Sequence, residues 1–455
     1  MKNWLPQHLP YVRLPSGKVS RVSLSPPAVL ALGFLALILL GTLLLLLPVA
    51  TTQPINLLQA LFTATSAVTV TGLVVVDTGS QFSHFGQIVI ALLIQAGGLG
   101  FMTFAVVAAI SLGAKIGLSQ QKIAQEALGQ TSLDQVTTIA KAVLLYALLI
   151  ELIGVILLTL TWWSELGFVT ALYHGFFYTI SAFNNAGFAL SSDSLMPYAG
   201  SIPVNLIITG LFVIGGIGFT VLIDVKKHRR WQLLSTNTRL ILLATLLINL
   251  CAFILIWLLE ANNPATLQQL SIKDQALAAW FQAVTPRTAG FNTLDYSSMT
   301  DASNILTLLL MFIGGGSLST ASGIKLGTFV ILLMATYAFL RRRDEVTVLK
   351  RTVPTPLVLK ALALALVSLI AIFISIFLLT ITEQAPLLDV AFEVVSALGT
   401  VGLSRGLTGE LSTFGQLLII VLMITGRLGP LTLAYFLATP RRRRIRYADT
   451  RIQVG

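Results

Sequence analysis

Long apolar runs alternate with short polar stretches along the whole chain, and the alternation repeats. A helix needs about 20 apolar residues to cross a hydrocarbon core. Such runs occur near 26–48, 137–162, 238–260 and 358–382, and a second set occupies 84–112, 201–225, 303–339 and 412–438. Between each first run and its second lies a segment of about 11 residues, at 57–67, 172–182, 275–285 and 387–397. A helix rising about 1.5 Å per residue is too short at that length to cross. The pattern predicts an all-α chain of four tandem helix–pore loop–helix units, at 26–112, 137–225, 238–339 and 358–438, between an N-terminal segment 1–25 and a tail 439–455.

The units align residue by residue. One glycine follows each short segment: Val70-Thr71-Gly72, Asn185-Ala186-Gly187, Thr288-Ala289-Gly290 and Thr400-Val401-Gly402. An aromatic stands ten residues before each (Phe62, Phe177, Trp280, Phe392), and six before stand Ser66, Ser181, Val284 and Ser396. The second runs carry Gly97-Gly98-Leu99-Gly100, Gly215-Gly216-Ile217-Gly218, Gly314-Gly315-Gly316-Ser317 and Gly426-Arg427-Leu428-Gly429, beginning 25, 28, 24 and 24 residues after those glycines. Gly97, Gly100, Gly215 and Gly218 also suit close helix packing by small residues.

Composition agrees with a membrane protein. Of 455 residues 55% are hydrophobic and 10% charged, against about 25% charged in soluble domains. The first run, Ala28 to Leu47, is uncharged and longer than a signal-peptide core, and is read as a retained span. Basic residues in short loops mark the cytoplasmic side. Here 24 of the 29 Lys and Arg fall in five clusters: Lys2 to Arg21, Lys115 to Lys141, Lys226 to Arg239, Arg341 to Lys360 and Arg441 to Arg451. All five lie between or outside the units, so each unit crosses an even number of times. The short segments then dip in and return. Eight full spans, four re-entrant loops and two cytoplasmic termini follow.

Non-helical backbone at membrane depth must be buried in protein or line a water-filled cavity. Four equivalent loops can converge on one axis as a pseudo-fourfold cation pore. Helix C-termini favour a cation, and rings of backbone carbonyls can replace the hydration shell of potassium. Gly72, Gly187, Gly290 and Gly402, lacking a Cβ, would turn their carbonyls to that axis. Val70, Thr71, Asn185, Ala186, Thr288, Ala289, Thr400 and Val401 would complete the selectivity filter. Asp77, Asp193 and Asp295 follow three of the glycines and either concentrate cations at the mouth or are ordinary loop acids.

Two features break the symmetry. Gly314, Gly315, Gly316, Ser317, Ser319, Thr320, Ser322 and Gly323 form a stretch of small or hydroxylated residues, a candidate gate beneath the filter. Arg427 is a charge within the last run that would pair with that loop or raise a barrier to cations. Arg287 would brace the third filter segment from outside the axis, and Glu151 and Lys325 are further intramembrane charges.

The lone Cys251 excludes an internal disulfide or thiolate metal site. The four histidines, His8, His84, His174 and His228, are scattered, and no hydrolase, zinc-protease or phosphate-loop motif appears, which argues against an enzyme. The basic clusters alternate with spans, which argues against nucleic-acid binding. An alternating-access transporter, or a sodium or less selective cation pathway, is the competing reading; such transporters typically use inverted repeats, whereas these units share one orientation.

The four units, the single filter glycines, the small-residue loop 314–323 and Arg427 together resemble the Trk/Ktr/HKT superfamily of potassium transporters, most closely its KtrB branch. The resemblance covers essentially the whole chain and implies a multi-pass protein of the bacterial cytoplasmic membrane. It also implies a homodimer with one pore per subunit, docked on a cytoplasmic KtrA-like nucleotide-binding ring. Potassium would be the transported ion, with sodium stimulating uptake. No covalent cofactor is implied, and ATP or ADP would act only through the partner. The basic tail Arg441 to Arg444 fits anionic membrane lipids or such a partner.

Overall fold

The computed structural model describes residues 11–13, 19–21, 26–100, 136–317 and 319–429. Apart from one short antiparallel strand pair, β1 (Tyr11–Arg13) with β2 (Val19–Arg21), the segment 1–25 lies outside the described residues. So do 101–112, 430–438 and the tail 439–455.

The fold is all-α, and each unit sets a first-run helix, a short helix and a second-run helix in the same order. The first comprises α1 (Pro26–Leu45), α2 (Leu57–Thr69), the single turn α3 (Thr78–Gln81) and α4 (His84–Gly98). The second comprises α5 (Val136–Leu166), α6 (Phe168–Phe183), α7 (Ile202–Ile217) and α8 (Phe219–Lys227). The third comprises α9 (Thr236–Glu260), α10 (Ile272–Val284), α11 (Asp301–Phe312) and α12 (Leu326–Leu340). After a hairpin of β3 (Thr347–Val348) and β4 (Arg351–Thr352), the last unit comprises α13 (Thr355–Thr382), α14 (Leu387–Gly399) and α15 (Thr413–Leu428).

Burial separates two kinds of helix. The long first helices expose large apolar side chains, among them Leu145, Leu152, Leu246, Leu258, Leu362 and Phe373. Such surface is stable only against lipid or another apolar face. The short helices α2, α6, α10 and α14 are buried over most of their C-terminal halves. Phe62, Phe177 and Phe392 are almost wholly enclosed, and Trp280 is partly so. Side-chain caps start several helices: Asn56 forms a reciprocal capping box with Gln59, and Ser83, Ser271, Thr300 and Ser412 each accept a backbone N–H.

Among the described residues, three helices are long and apolar enough to cross a membrane: Ala140–Leu166, Thr236–Glu260 and Thr355–Thr382. The pair α7 and α8 is apolar and long enough only when taken together across its bend. The shorter apolar helices among the described residues have 10–17 residues, and the second runs at 201–225 and 303–339 are not continuous helices as the hydrophobic pattern suggested. The second unit's run bends by 92° between α7 and α8, at Gly218 with φ 108°. A side chain rarely tolerates that backbone. Gly100 and Gly429, at the same motif position, also have positive φ just beyond α4 and α15. Gly218 therefore ends α7, and Gly100 lies just past the end of α4. Gly97 and Gly215 do pack closely: a Cβ on either would collide with the carbonyl of Val68 or Phe183, at the end of a short helix.

Candidate cation pathway

The four glycines meet in a closed ring that follows chain order. A Cβ on Gly72 would strike the Ala186 carbonyl, and one on Gly187 would lie 2.6 Å from Gly290 Cα. One on Gly290 would lie 2.6 Å from the Val401 carbonyl oxygen, and one on Gly402 would strike the Thr71 carbonyl. Each unit thus touches the next, and the fourth returns to the first. The buried ends of α2, α6, α10 and α14 lead into this ring, bringing four partial negative charges to it.

Backbone handedness explains how the segments present their carbonyls. Gly72, Gly187, Gly290 and Gly402 have φ of 95°, 70°, 79° and 89°. Two residues earlier, Val70, Asn185, Thr288 and Thr400 also have positive φ, at 58°, 60°, 71° and 49°. Thr71, Ala186, Ala289 and Val401 between them do not. Alternating the sign of φ turns successive carbonyls to one side of the chain. A β-branched residue in the left-handed region is a genuine outlier, costing on the order of 1–3 kcal/mol, and three of the four are β-branched. Such strain persists only where the surroundings impose it.

Hydrogen bonds from the filter N–H groups back to the short helices impose it. In the first unit the Ser66 carbonyl accepts the Thr71 N–H at 2.8 Å and the Ser66 hydroxyl accepts the Gly72 N–H at 3.0 Å. Ser396 does the same for Val401 at 2.8 Å and Gly402 at 3.1 Å. In the second unit the Ser181 carbonyl accepts from Ala186 at 2.7 Å, while its hydroxyl donates to the Phe188 carbonyl at 2.8 Å. The third unit has Val284 where the others have serine. Thr285, one residue later, takes over: its carbonyl accepts from Ala289 at 2.9 Å and its hydroxyl donates to Phe291 at 2.5 Å. The N–H groups face the helices. Among the described residues no donor reaches the carbonyls of the filter residues.

Outside the ring lies a cavity of about 330 Å³, lined by residues of all four units. Asp77, Asp193 and Asp295 all line it. Burial acts to raise the Asp295 carboxyl, but hydrogen bonds from Ser297 and Ser298 and the nearby Arg405 guanidinium outweigh it and hold it below the ordinary carboxylate range.

Inside the ring the symmetry ends. Gly314 to Ser317 and Ser319 to Gly323 are irregular between α11 and α12, tied at the base by Gly314 N–H to the Ile324 carbonyl and Leu326 N–H to the Gly315 carbonyl, both 2.9 Å. This loop rests on the break after α7, with Gly316 N–H donating to the Gly216 carbonyl at 2.8 Å. It also reaches the filter, where the Thr320 hydroxyl donates to Asn185 Oδ1 at 2.7 Å. From α15, Arg427 donates to the Thr320 carbonyl at 2.5 Å, to Ser322 Oγ at 3.0 Å, and to the carbonyls of Gly97 and Gly98. Lys325 closes the segment on the Ala321 carbonyl at 2.6 Å. Asn185, Gly97 and Gly98 are thus partners of the loop and its arginine that sequence reasoning did not pair with them.

Two other charges brace the scaffold. Arg287 turns away from the ring and donates to Asn249 Oδ1 of α9 at 3.0 Å. Glu151 of α5 accepts from Gln95 at 3.0 Å and from Asn184, beside filter residue Asn185, at 3.2 Å.

A ring of four short segments set among helices with exposed apolar faces defines a multi-pass membrane protein. The chain matches the TrkH cation transport protein family over residues 28–444. It is 51% identical to the Ktr system potassium uptake protein B of Bacillus subtilis, over 95% of this chain and 98% of that one. It is 44% identical to the protein of the same name from Vibrio alginolyticus, over 97% and 98%. In fold it matches the crystal structure of the potassium transporter TrkH from Vibrio parahaemolyticus with a TM-score of 0.74 at 23% identity, covering 92% of this chain and 86% of that one. The chain therefore belongs to the TrkH cation transport family, within the Trk/Ktr/HKT superfamily, and is of the KtrB type. It is a transporter, not an enzyme.

Proposed function

We propose that this chain forms the pore of a bacterial potassium uptake system, with the segments ending at Gly72, Gly187, Gly290 and Gly402 as its selectivity filter. The carrying observation is the closed ring of four segments whose backbone alternates in handedness and whose carbonyls accept no donor among the described residues. Such carbonyls can replace the water around a weakly hydrated cation. The names of the most similar relatives support potassium as that cation. The loop from Gly314 to Gly323, held by Arg427, is the gate, because it lies across the inner side of the ring and bonds to a filter residue.

The finer reading extends to the assembly. Eight spans with both termini cytoplasmic fit the charge distribution, and 26–112, 137–225, 238–339 and 358–438 are the four pore units. The family resemblance supports a homodimer, a KtrA-like ring carrying the ATP or ADP response, and stimulation by sodium.

Rubidium uptake into proteoliposomes, with sodium or potassium as competitor, tests the filter. The native protein takes up rubidium and is inhibited far more by potassium than by sodium. Gly290→Ser, which places a Cβ against the Val401 carbonyl and Gly187, reduces that preference about tenfold or more, the equivalent of about 1.4 kcal/mol. Unchanged preference in the variant places the selective step elsewhere.

A further inference from the structure

Helix α8 has two faces with different partners. On the inner face Val221 is fully buried in a cluster with Ile241 and Ala244 of α9 and with Ile313 and Leu326, the residues that flank the gate loop on either side. Immediately before α8, the Gly215 and Gly216 carbonyls accept N–H bonds from Thr320 and Gly316 of the loop itself. The gate loop is therefore seated on the segment that runs directly into this helix.

The outer face is basic and open. Lys226, Lys227, Arg229 and Arg230 are all exposed, followed by exposed Trp231 and Leu233. The 92° bend at Gly218 turns α8 across the direction of α7, so where α7 runs through the membrane α8 lies along its surface. Asp224 locks this elbow to the start of α9, accepting from Ser235 N–H at 2.9 Å and Thr238 Oγ1 at 2.5 Å and pairing with His228 at 2.9 Å. A helix lying in the interface with cations beside a tryptophan and aliphatic side chains suits an anionic lipid surface. Positive-inside bias accounts for the sign of the charge, but not for its placement on a helix whose buried face joins the cluster at both ends of the loop.

We propose that α8 and its elbow, through Leu233, dock anionic phospholipid headgroups of the cytoplasmic leaflet, and that this docking holds the gate loop in its seated position. The inference rests on the gate and topology readings above. Headgroups that draw α8 to the membrane fix Gly215 and Gly216 beneath the ring. Without them the elbow is released and the loop loses one of its supports, Arg427 being another.

Rubidium flux is measured in vesicles of phosphatidylcholine alone and with increasing phosphatidylglycerol. Native flux falls at least threefold as the anionic fraction rises. The variant K226Q/K227Q/R229Q/R230Q shows the higher flux in every mixture. Removal of as many charges in R341Q/R342Q/R343Q/K350Q leaves the lipid dependence intact. Flux indifferent to lipid, or a dependence retained by the first variant, overturns the proposal. So does retention of the lipid dependence in that variant together with loss of a co-purifying cytoplasmic protein, which would assign the face to that protein. Contact is read separately: dibrominated phosphatidylglycerol quenches the Trp231 signal, defined by difference from W231F, more than dibrominated phosphatidylcholine does, and equal quenching contradicts headgroup recognition. An Arg427→Gln variant separates the readings. If it conducts more than native while the lipid effects are absent, the gate stands and the docking falls; if its flux is unchanged, the gate reading itself fails.

Discussion

The outer half of the pathway is built four times over, and the inner half only once. Around the ring, each unit contributes a buried short helix, a left-handed residue, a glycine and a hydroxyl that bonds the backbone at that glycine or at the residue after it. Beneath it the units diverge: the first offers the carbonyls of Gly97 and Gly98, the second those of Gly215 and Gly216, the third a loop and the fourth an arginine. Coordinating a spherical ion rewards equivalence among the ligands. A gate of the kind proposed needs one movable part with fixed partners.

The largest effect follows from breaking the ring. Gly187→Ala places a methyl group 2.6 Å from Gly290 Cα at a φ of 70°, where an L-residue costs roughly 1–2 kcal/mol before any collision. Competition of potassium and sodium against rubidium uptake is expected to show at least tenfold weaker discrimination, with little change in loop behaviour. Breaking the floor does the converse. Arg427→Gln removes a charged donor serving two elements, and hydrogen bonds to a charged group are worth about 1.5–3 kcal/mol. Flux in liposomes without any cytoplasmic partner should rise about 10-fold or more, with selectivity retained. A variant altered in both properties would show the two halves to be one device.

A smaller effect sharpens the comparison within the ring. The Ser66 hydroxyl accepts the Gly72 N–H, whereas the Ser181 hydroxyl donates to the Phe188 carbonyl. Ser66→Ala orphans a buried donor, which costs about 1–3 kcal/mol, while a carbonyl that loses one donor keeps its other lone pair available. Selectivity is therefore expected to fall more in Ser66→Ala than in Ser181→Ala, as read from the same ion competition.

The smallest effect concerns the mouth. Asp295→Asn should lower uptake about twofold at low ionic strength and not measurably at high salt. The Asp295 carboxyl is held below the ordinary range. Its charge, and the stability its hydrogen bonds contribute, are present above the unfolded carboxylate value and are lost only as pH falls through the depressed folded one. Uptake titrated downward in pH should keep the Asp295-dependent component throughout the range where an ordinary carboxylate protonates.

The parts that repeat were the parts legible in the sequence. Hydrophobic runs, four glycines at matched offsets and the small-residue stretch placed the ring and the loop, because each depends on residue type at a fixed local spacing. What escaped depends on tertiary context. Val70 and Thr400 are β-branched and intrinsically disfavour positive φ, so nothing local announces their handedness. Thr285 replaces the missing serine from a neighbouring position, which an alignment by offset overlooks. The hydrophobic count ran straight through Gly218, since a bend of 92° leaves hydropathy unchanged. Arg427 bonds Gly97 across 330 positions of sequence, a pairing only the closed ring brings about.

The central claim is that the ring itself holds the transported cation. Anomalous diffraction from crystals grown in rubidium locates that ion directly. The account predicts rubidium density on the axis between Gly72, Gly187, Gly290 and Gly402, displaced by potassium and not by sodium. Rubidium bound elsewhere with the ring empty would contradict it.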